Sequence, residues 1–279
     1  MTENVALGEW EGRPVQEWRE AWGTPTLMVL DVVGSTNDVA RALAEGGAPS
    51  GTAVLAERQT AGRGRAGRRW HAPHGTALLL SVVLRPPPGQ PSGSAPGALP
   101  LRVGLAVARA AECVAGVVFG LKWPNDVVVD GAGKVAGILC EAVSGADGGF
   151  VVVGIGVNVN QRPEEFPPEV RPMATSLYAV TGRKISRAAL CGAILEALRE
   201  AEDRYASPLG AEELRAIADR DVLLGKDVAV DGVPRGTAAG ITPEGALLVR
   251  DPTGARNPVY SGTVRVLSPG DPGSRERYP

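Results

Sequence analysis

Residues Gly62-Arg63-Gly64-Arg65-Ala66-Gly67-Arg68-Arg69-Trp70 place four arginines within seven positions, spaced by three glycines and closed by a tryptophan. A guanidinium is a planar fork of donors matched to carboxylate and phosphate oxygens, and glycine lets a backbone take strained conformations and approach a ligand closely. The chemistry this stretch suits is capture of anions by a pliable loop. Its first six residues also satisfy G-x-G-x-x-G, which binds dinucleotides only between a strand and a helix. The apolar segment 52–57 supplies the strand, but residues 68–75 carry Pro73, Gly75 and no apolar periodicity, so no helix follows. A solvated basic loop is the remaining alternative. His71 and His74 lie close together without a neighbouring carboxylate or cysteine, so no metal site is expected.

The second concentration of chemistry is Lys122-Trp123-Pro124-Asn125-Asp126, an ammonium, an amide and a carboxylate around a proline. It follows the apolar segment 117–122, where side chains leaving a sheet face a pocket; a salt-bridged turn is the plainer reading. Asp130-Gly131-Ala132-Gly133 reads as a hairpin turn. Gly133-Lys134 is no P-loop, because the upstream glycine is missing.

The elements that must position these groups follow from patterning. Strands are expected over residues 27–33, 52–57, 76–84, 117–122, 127–130, 135–142 and 150–158. Ser35-Thr36-Asn37-Asp38 supplies cap candidates for a helix that Gly46-Gly47 ends. Further helices are expected over residues 101–115, 187–205 and 211–220, and residues 1–26, with Trp10, Trp18 and Trp22, suit one amphipathic helix. Residues 86–100, rich in proline, glycine and serine, read as a flexible insertion. From residue 224 short glycine-separated strands, over 228–230, 236–240, 246–249 and 259–267, indicate a small all-β unit. The division is thus a main domain over 1–223, a small domain over 224–268 and a disordered tail over 269–279.

The 279 residues are 44% apolar and 22% charged, with a net charge of −2, so the arginines are a local feature on a mildly acidic body. A protein held on nucleic acid by charge shows a broader basic face, which argues against DNA as a partner. Cys113, Cys140 and Cys191 have no metal or disulfide spacing, the amino terminus lacks a secretory signal, and no apolar run is long enough to span a bilayer. No membrane partner and a cytoplasmic location are expected.

The arginine loop and the Lys122 segment together resemble the biotin protein ligases, with Ser35-Thr36-Asn37, Glu57-Arg58-Gln59-Thr60, Lys134-Val135-Ala136-Gly137-Ile138-Leu139 and Gly154-Ile155-Gly156-Val157-Asn158 fitting in order. The resemblance implies an α+β fold, a mixed β-sheet flanked by helices as in class II synthetases and lipoyl-attaching enzymes, followed by a small SH3-like β-barrel. It implies ATP and Mg²⁺, biotin as substrate, and a biotin carboxyl carrier domain as protein partner. Some members carry an amino-terminal winged helix and repress transcription; 26 residues cannot hold one, so a repressor role is not expected. A lipoate or octanoate ligase is the related alternative, and a nucleic-acid-binding protein the alternative of another class.

By this resemblance Lys122 and Arg65 are catalytic. Ser35, Thr36, Asn37, Gln59, Arg63, Gly64, Arg65, Lys122 and Gly137 are expected at biotin, and Arg65, Arg68, Trp70, Asn125, Lys134 and Asn158 at ATP or the adenylate. An anion must attack a polyanion, so catalysis depends on positioning and on cations that neutralise charge building on phosphorus oxygens. Asp126 is a candidate to take the proton of the acceptor lysine, which arrives charged. The mixed anhydride is labile to water, so a cover must close after the substrates bind. We expect biotin plus ATP to protect residues 62–70 from limited proteolysis, and equal cleavage rates with and without the ligands to exclude that role.

Overall fold

The run Ala-Leu-Leu-Leu-Ser-Val-Val-Leu at residues 77–84 is apolar on both faces, and a strand of that kind must be covered on both sides. A computed structural model, describing residues 5–85, 97–145, 149–268 and 271, places it at the third position of a seven-stranded sheet, with all eight residues buried. The chain begins with a two-residue hairpin, β1 (Glu9–Trp10) and β2 (Arg13–Pro14), and a short helix α1 (Val15–Ala21). Next come β3 (Leu27–Val33), α2 (Thr36–Glu45), β4 (Ala53–Gln59), β5 (Ala77–Leu84) and α3 (Ala98–Ala115). Strands β6 (Gly120–Lys122), β7 (Asp126–Val129), β8 (Gly133–Val143) and β9 (Phe150–Asn158) complete the sheet. Helices α4 (Leu177–Thr181), α5 (Arg187–Glu200) and α6 (Ala211–Ala218) follow.

The strand order is β3-β4-β5-β9-β8-β7-β6, with β3 and β4 parallel and every other pair antiparallel. The parallel pair needs a crossover, and α2 supplies it. One core layer joins α2 through Ala40 and Ala44 to Leu30, Val54, Val83 and Val152 on the sheet. The larger layer lies on the opposite face, where α3 and α5 contribute Leu99, Val103, Val107, Leu190 and Ile194. Mixed sheet and flanking helices agree with the expectation from sequence.

A second sheet, all antiparallel, holds β10 (Asp227–Val230), β11 (Val233–Ile241), β12 (Leu247–Arg250), β13 (Arg256–Val259) and β14 (Val264–Val266) in the order β13-β12-β11-β10-β14. The single strand expected over residues 259–267 is two, because Gly262 takes φ +139° in the turn between them. Buried Trp123 donates from Nε1 to the Gly245 carbonyl at 2.9 Å, fastening this sheet to the main one.

Three further expectations change. Residues 1–26 do not form one helix: Glu11 and Gly12 both take positive φ in the β1–β2 turn, and α1 starts only after Pro14. Helix α3 begins at Ala98, three residues inside the segment taken as an insertion, and residues 86–96 lie outside the described residues. Helix α5 ends at Glu200, short of residue 205, and the residues beyond form a 3₁₀ turn. Of the expected tail only Asp271 is described, paired with Arg265 at 2.6 Å.

The amino-terminal hairpin is fixed by charge. Arg187, 6% exposed, donates to Glu57 at 2.8 and 2.9 Å and to Glu11 at 2.8 Å, and the Trp10 indole N–H donates to Glu57 as well. Trp18 stacks on Trp22 with ring centroids 5.1 Å apart, and both meet Trp10 edge-on. Removing one member of a buried ion pair leaves the other uncompensated, at a cost of about 3–5 kcal/mol. Arg187→Met should lower stability by about that much in urea unfolding, and a change within error would mean that the pair is not needed.

Candidate active site

Helix α2 starts over the middle of the sheet, and its first turn brings three polar side chains to the end of β4, where Gln59 makes a fourth. Ser35, Thr36 and Asn37 are all buried, and the Ser35 hydroxyl is not spent on capping the helix. The Thr36 backbone N–H and hydroxyl donate to Gln59 Oε1 at 2.7 and 3.0 Å. With that oxygen taken twice, Gln59 presents its amide nitrogen as a donor. Asn37 Nδ2 donates to Glu141 Oε2 at 2.6 Å, and its Oδ1 lies 2.6 Å from the Ser81 hydroxyl. The approach is possible because Gly154 lies opposite; a Cβ there would collide with the Asn37 amide.

The arginine loop is a closed turn in this structure. Arg63 and Arg69 form an antiparallel bridge, the Gly64 N–H donates to the Arg68 carbonyl at 2.7 Å, and the Trp70 N–H donates to that of Gly62 at 3.0 Å. Residues Arg65–Gly67 make one 3₁₀ turn with Ala66 at φ +53°, so no helix follows the glycines and the dinucleotide reading fails. Arg63 grips Asp38 with both terminal nitrogens, at 2.8 and 2.6 Å, and reaches Glu141 at 3.3 Å. That grip holds the Asp38 carboxyl below the usual carboxylate range, chiefly through the hydrogen bond from Arg63. Arg68 donates to the Thr263 hydroxyl of the second sheet at 3.3 Å.

The far wall is formed by the Lys122 segment and by β8 and β9. Lys134 pairs with Asp126 at 2.6 Å and lies 5.5 Å from the centre of the Trp70 ring. The Trp70 ring rests over Gly137 and Gly156; a Cβ on Gly156 would stand 2.6 Å from it. Asn125 donates from Nδ2 to the Ile138 carbonyl at 2.7 Å and accepts the Ile138 N–H in return at 3.0 Å, which locks the turn to β8. Asn158 is buried and spends its amide on the Thr175 carbonyl at 3.0 Å and on Gln161 at 3.1 Å, so it shapes the wall through internal bonds.

These walls enclose a cavity of about 480 Å³. Every residue named from sequence for the site lines it: Ser35, Thr36, Asn37, Gln59, Arg63, Gly64, Arg65, Arg68, Trp70, Lys122, Asn125, Lys134, Gly137 and Asn158. Lys122 therefore shares one pocket with Arg63 and Arg65. Sequence reading did not anticipate Asp38 and Glu141 as partners of Arg63, nor Ser81 behind Thr36 and Asn37. A lone hydroxyl in an otherwise apolar strand was the available clue to Ser81. Of the other groups, His74 pairs with Asp31 at 2.7 Å, and among the described residues no three His, Cys, Asp or Glu side chains gather to hold a metal. Burial pushes the Cys140 thiol up to about 12, so it supplies no thiolate.

The fold and this cavity define a class before they define a member: the chain matches the biotin/lipoate A/B protein ligase family over residues 29–158 and the biotin protein ligase C terminal domain over 224–267. The bifunctional ligase/repressor BirA of Bacillus spizizenii is 37% identical over 247 residues, covering 86% of this chain and 74% of that protein. The biotin–[acetyl-CoA-carboxylase] ligase of Mycobacterium tuberculosis is 40% identical over 213 residues, covering 72% and 74%. The biotin protein ligase of Aquifex aeolicus, solved in complex with biotin and ATP, superposes with a TM-score of 0.71 at 33% identity, covering 87% of this chain and 100% of that one. The chain belongs to this family and, within it, to the biotin protein ligases.

The Arg63–Asp38 pair gives a prediction with a defined sign. A carboxyl whose folded-state pKa is depressed adds stability that is complete above its unfolded value, about 3.9, and lost as pH falls through the lower folded value. The Tm difference between wild type and Asp38→Asn should therefore shrink below pH of about 4; a difference that stays constant to pH of about 2 would exclude the pair as its source.

Proposed function

We propose that this chain joins biotin to ATP, forming biotinoyl-5′-AMP and pyrophosphate, and then passes the biotinoyl group to a lysine of a biotin carboxyl carrier domain in a biotin-dependent carboxylase. The observation that carries the proposal is the single cavity in which a donor-and-acceptor cluster, Ser35, Thr36, Asn37 and Gln59, adjoins three cations, Arg63, Arg65 and Lys122. One end suits a cyclic urea, which presents both N–H donors and a carbonyl acceptor. The other end suits a carboxylate meeting a triphosphate.

In the first step a biotin carboxylate oxygen attacks the α-phosphorus, and the bond to the departing pyrophosphate breaks. Arg65 and Lys122 neutralise charge that builds on the α-phosphate oxygens, and Arg63 exchanges its internal partners for the incoming anion. Arg68, Trp70, Asn125, Lys134 and Asn158 surround the adenylate. In the second step the carrier's lysine amine attacks the acyl carbon, AMP leaves, and Asp126 receives the proton. Asp126 is the one carboxylate among the lining residues and is already paired with Lys134, so a Mg²⁺ ion fits here only as one carried by phosphate oxygens and water. When bound, such an ion would lower the repulsion between nucleophile and triphosphate. The proposal includes the boundary between a catalytic domain over residues 1–223 and an SH3-like unit over 224–268, and a cytoplasmic location. Among the described residues no helix is long and apolar enough to cross a membrane.

Biotin-dependent exchange of pyrophosphate into ATP is the direct test: exchange supported by lipoate and not by biotin would overturn the substrate assignment. Losing one electrostatic contact to the transition state typically costs about 2.7–4 kcal/mol. Arg65→Ala and Lys122→Ala should each lower kcat for exchange by roughly 10²- to 10³-fold, and full activity in either variant would remove that residue from catalysis.

A further inference from the structure

Ser81 is the one polar residue of β5, is fully buried, and does not line the cavity. Its hydroxyl lies 2.7 Å from Thr36 Oγ1 and 2.6 Å from Asn37 Oδ1. A serine hydroxyl has one proton, so it can donate to only one of these oxygens at a time. We propose that Ser81 is a positioning residue that sets the hydrogen-bond polarity of the donor-and-acceptor end of the cavity, through Thr36 and Asn37. The inference rests on the reading that this end receives the urea of biotin.

Two arrangements of protons are available, and both follow from neighbours that are already fixed. Glu141 is an acceptor, so the Asn37 atom facing it at 2.6 Å is the amide nitrogen, and the oxygen of this cavity-lining residue is left toward Ser81. In the first arrangement Ser81 donates to Thr36, Thr36 donates to Gln59 Oε1 at 3.0 Å, and the Asn37 oxygen is open to a ligand N–H. In the second Ser81 donates to the Asn37 oxygen and accepts from Thr36, while Gln59 Oε1 keeps only the Thr36 backbone N–H, at 2.7 Å. The first arrangement offers an acceptor in Asn37 and a Gln59 amide held by two bonds, which together complement a ring bearing N–H and C=O. The second satisfies Asn37 internally, as suits the empty site. A buried hydroxyl with two alternative acceptors thus lets the site stay satisfied without a ligand and change polarity without moving a backbone atom.

The effect is confined to the urea end, which separates it from a packing role. Ser81→Ala removes one oxygen from a buried position and should weaken biotin binding by about ten-fold in calorimetry, as loss of one hydrogen bond within a buried network does. Desthiobiotin, which keeps the urea and lacks the thioether, should weaken by the same factor, while ATP affinity stays within about two-fold of wild type. Ser81→Cys, with a weak donor of similar size, should recover part of the loss. Biotin affinity unchanged in Ser81→Ala, or biotin and ATP weakened equally together with a lower Tm, would overturn the proposal. A wild-type protein that binds ATP but no biotin would instead overturn the substrate assignment on which it rests.

Discussion

How closely side chains can approach the centre of the sheet decides most of what this site can be. The central strands carry serine or glycine where a larger residue would hold the overlying groups away: Ser81 and Gly154 are register partners on β5 and β9, and Gly137 and Gly156 are partners on β8 and β9. The first pair admits the start of α2, and the second admits the Trp70 ring. A Cβ at Gly154 or Gly156 would meet those groups at distances that real contacts do not show, so the polar cluster and the covering loop both depend on missing methyl groups. The surrounding valines, leucines and isoleucines make the sheet rigid, and the small residues cut the site into it.

Electrostatics then settles the resting state of the loop. Arg63 is held by Asp38 and Glu141, Lys134 by Asp126, and Arg68 by the Thr263 hydroxyl. Arg65 and Lys122, by contrast, make no ion pair among the described residues. Arg69, which also lines the cavity, makes none either, so three lining cations are available to a substrate from the outset, while Arg63, Arg68 and Lys134 must exchange an internal partner for it. Because guanidinium–carboxylate pairs with two parallel bonds are the stronger and more directional kind, an anion that only partly matches their geometry gains little by displacing them.

Much of this was legible in the residues themselves. The strand positions, the α2 caps and the two charged motifs follow from periodicity and turn chemistry, and the named lining residues meet in one cavity because most of the motifs fall at strand ends, turns and the start of α2, with Gly137 inside β8. What stayed hidden depends on pairing across long separations. Glu141 meets Asn37 104 positions away, and Arg187 meets Glu57 130 positions away, and neither carries a local pattern that names its partner. The amino-terminal segment misled for a related reason: its tryptophans suggest a helix face, but their packing on one another and the buried Arg187 pair favour a hairpin followed by a single short helix. Asn158 illustrates the opposite case, a residue in the right place whose amide is already engaged in the wall.

The indole of Trp123 reaches into the second sheet, and from the other side Arg68 of the covering loop touches the turn before β14. The small sheet is therefore anchored both to the turn that follows Lys122 and to the loop that must close over it. Residues such as Gly245 and Thr263 do not line the main cavity, yet the sheet they belong to acts as a brace that sets the gap between loop and turn. Inherited or engineered changes confined to this small sheet should thus register as altered chemistry rather than as a local surface effect.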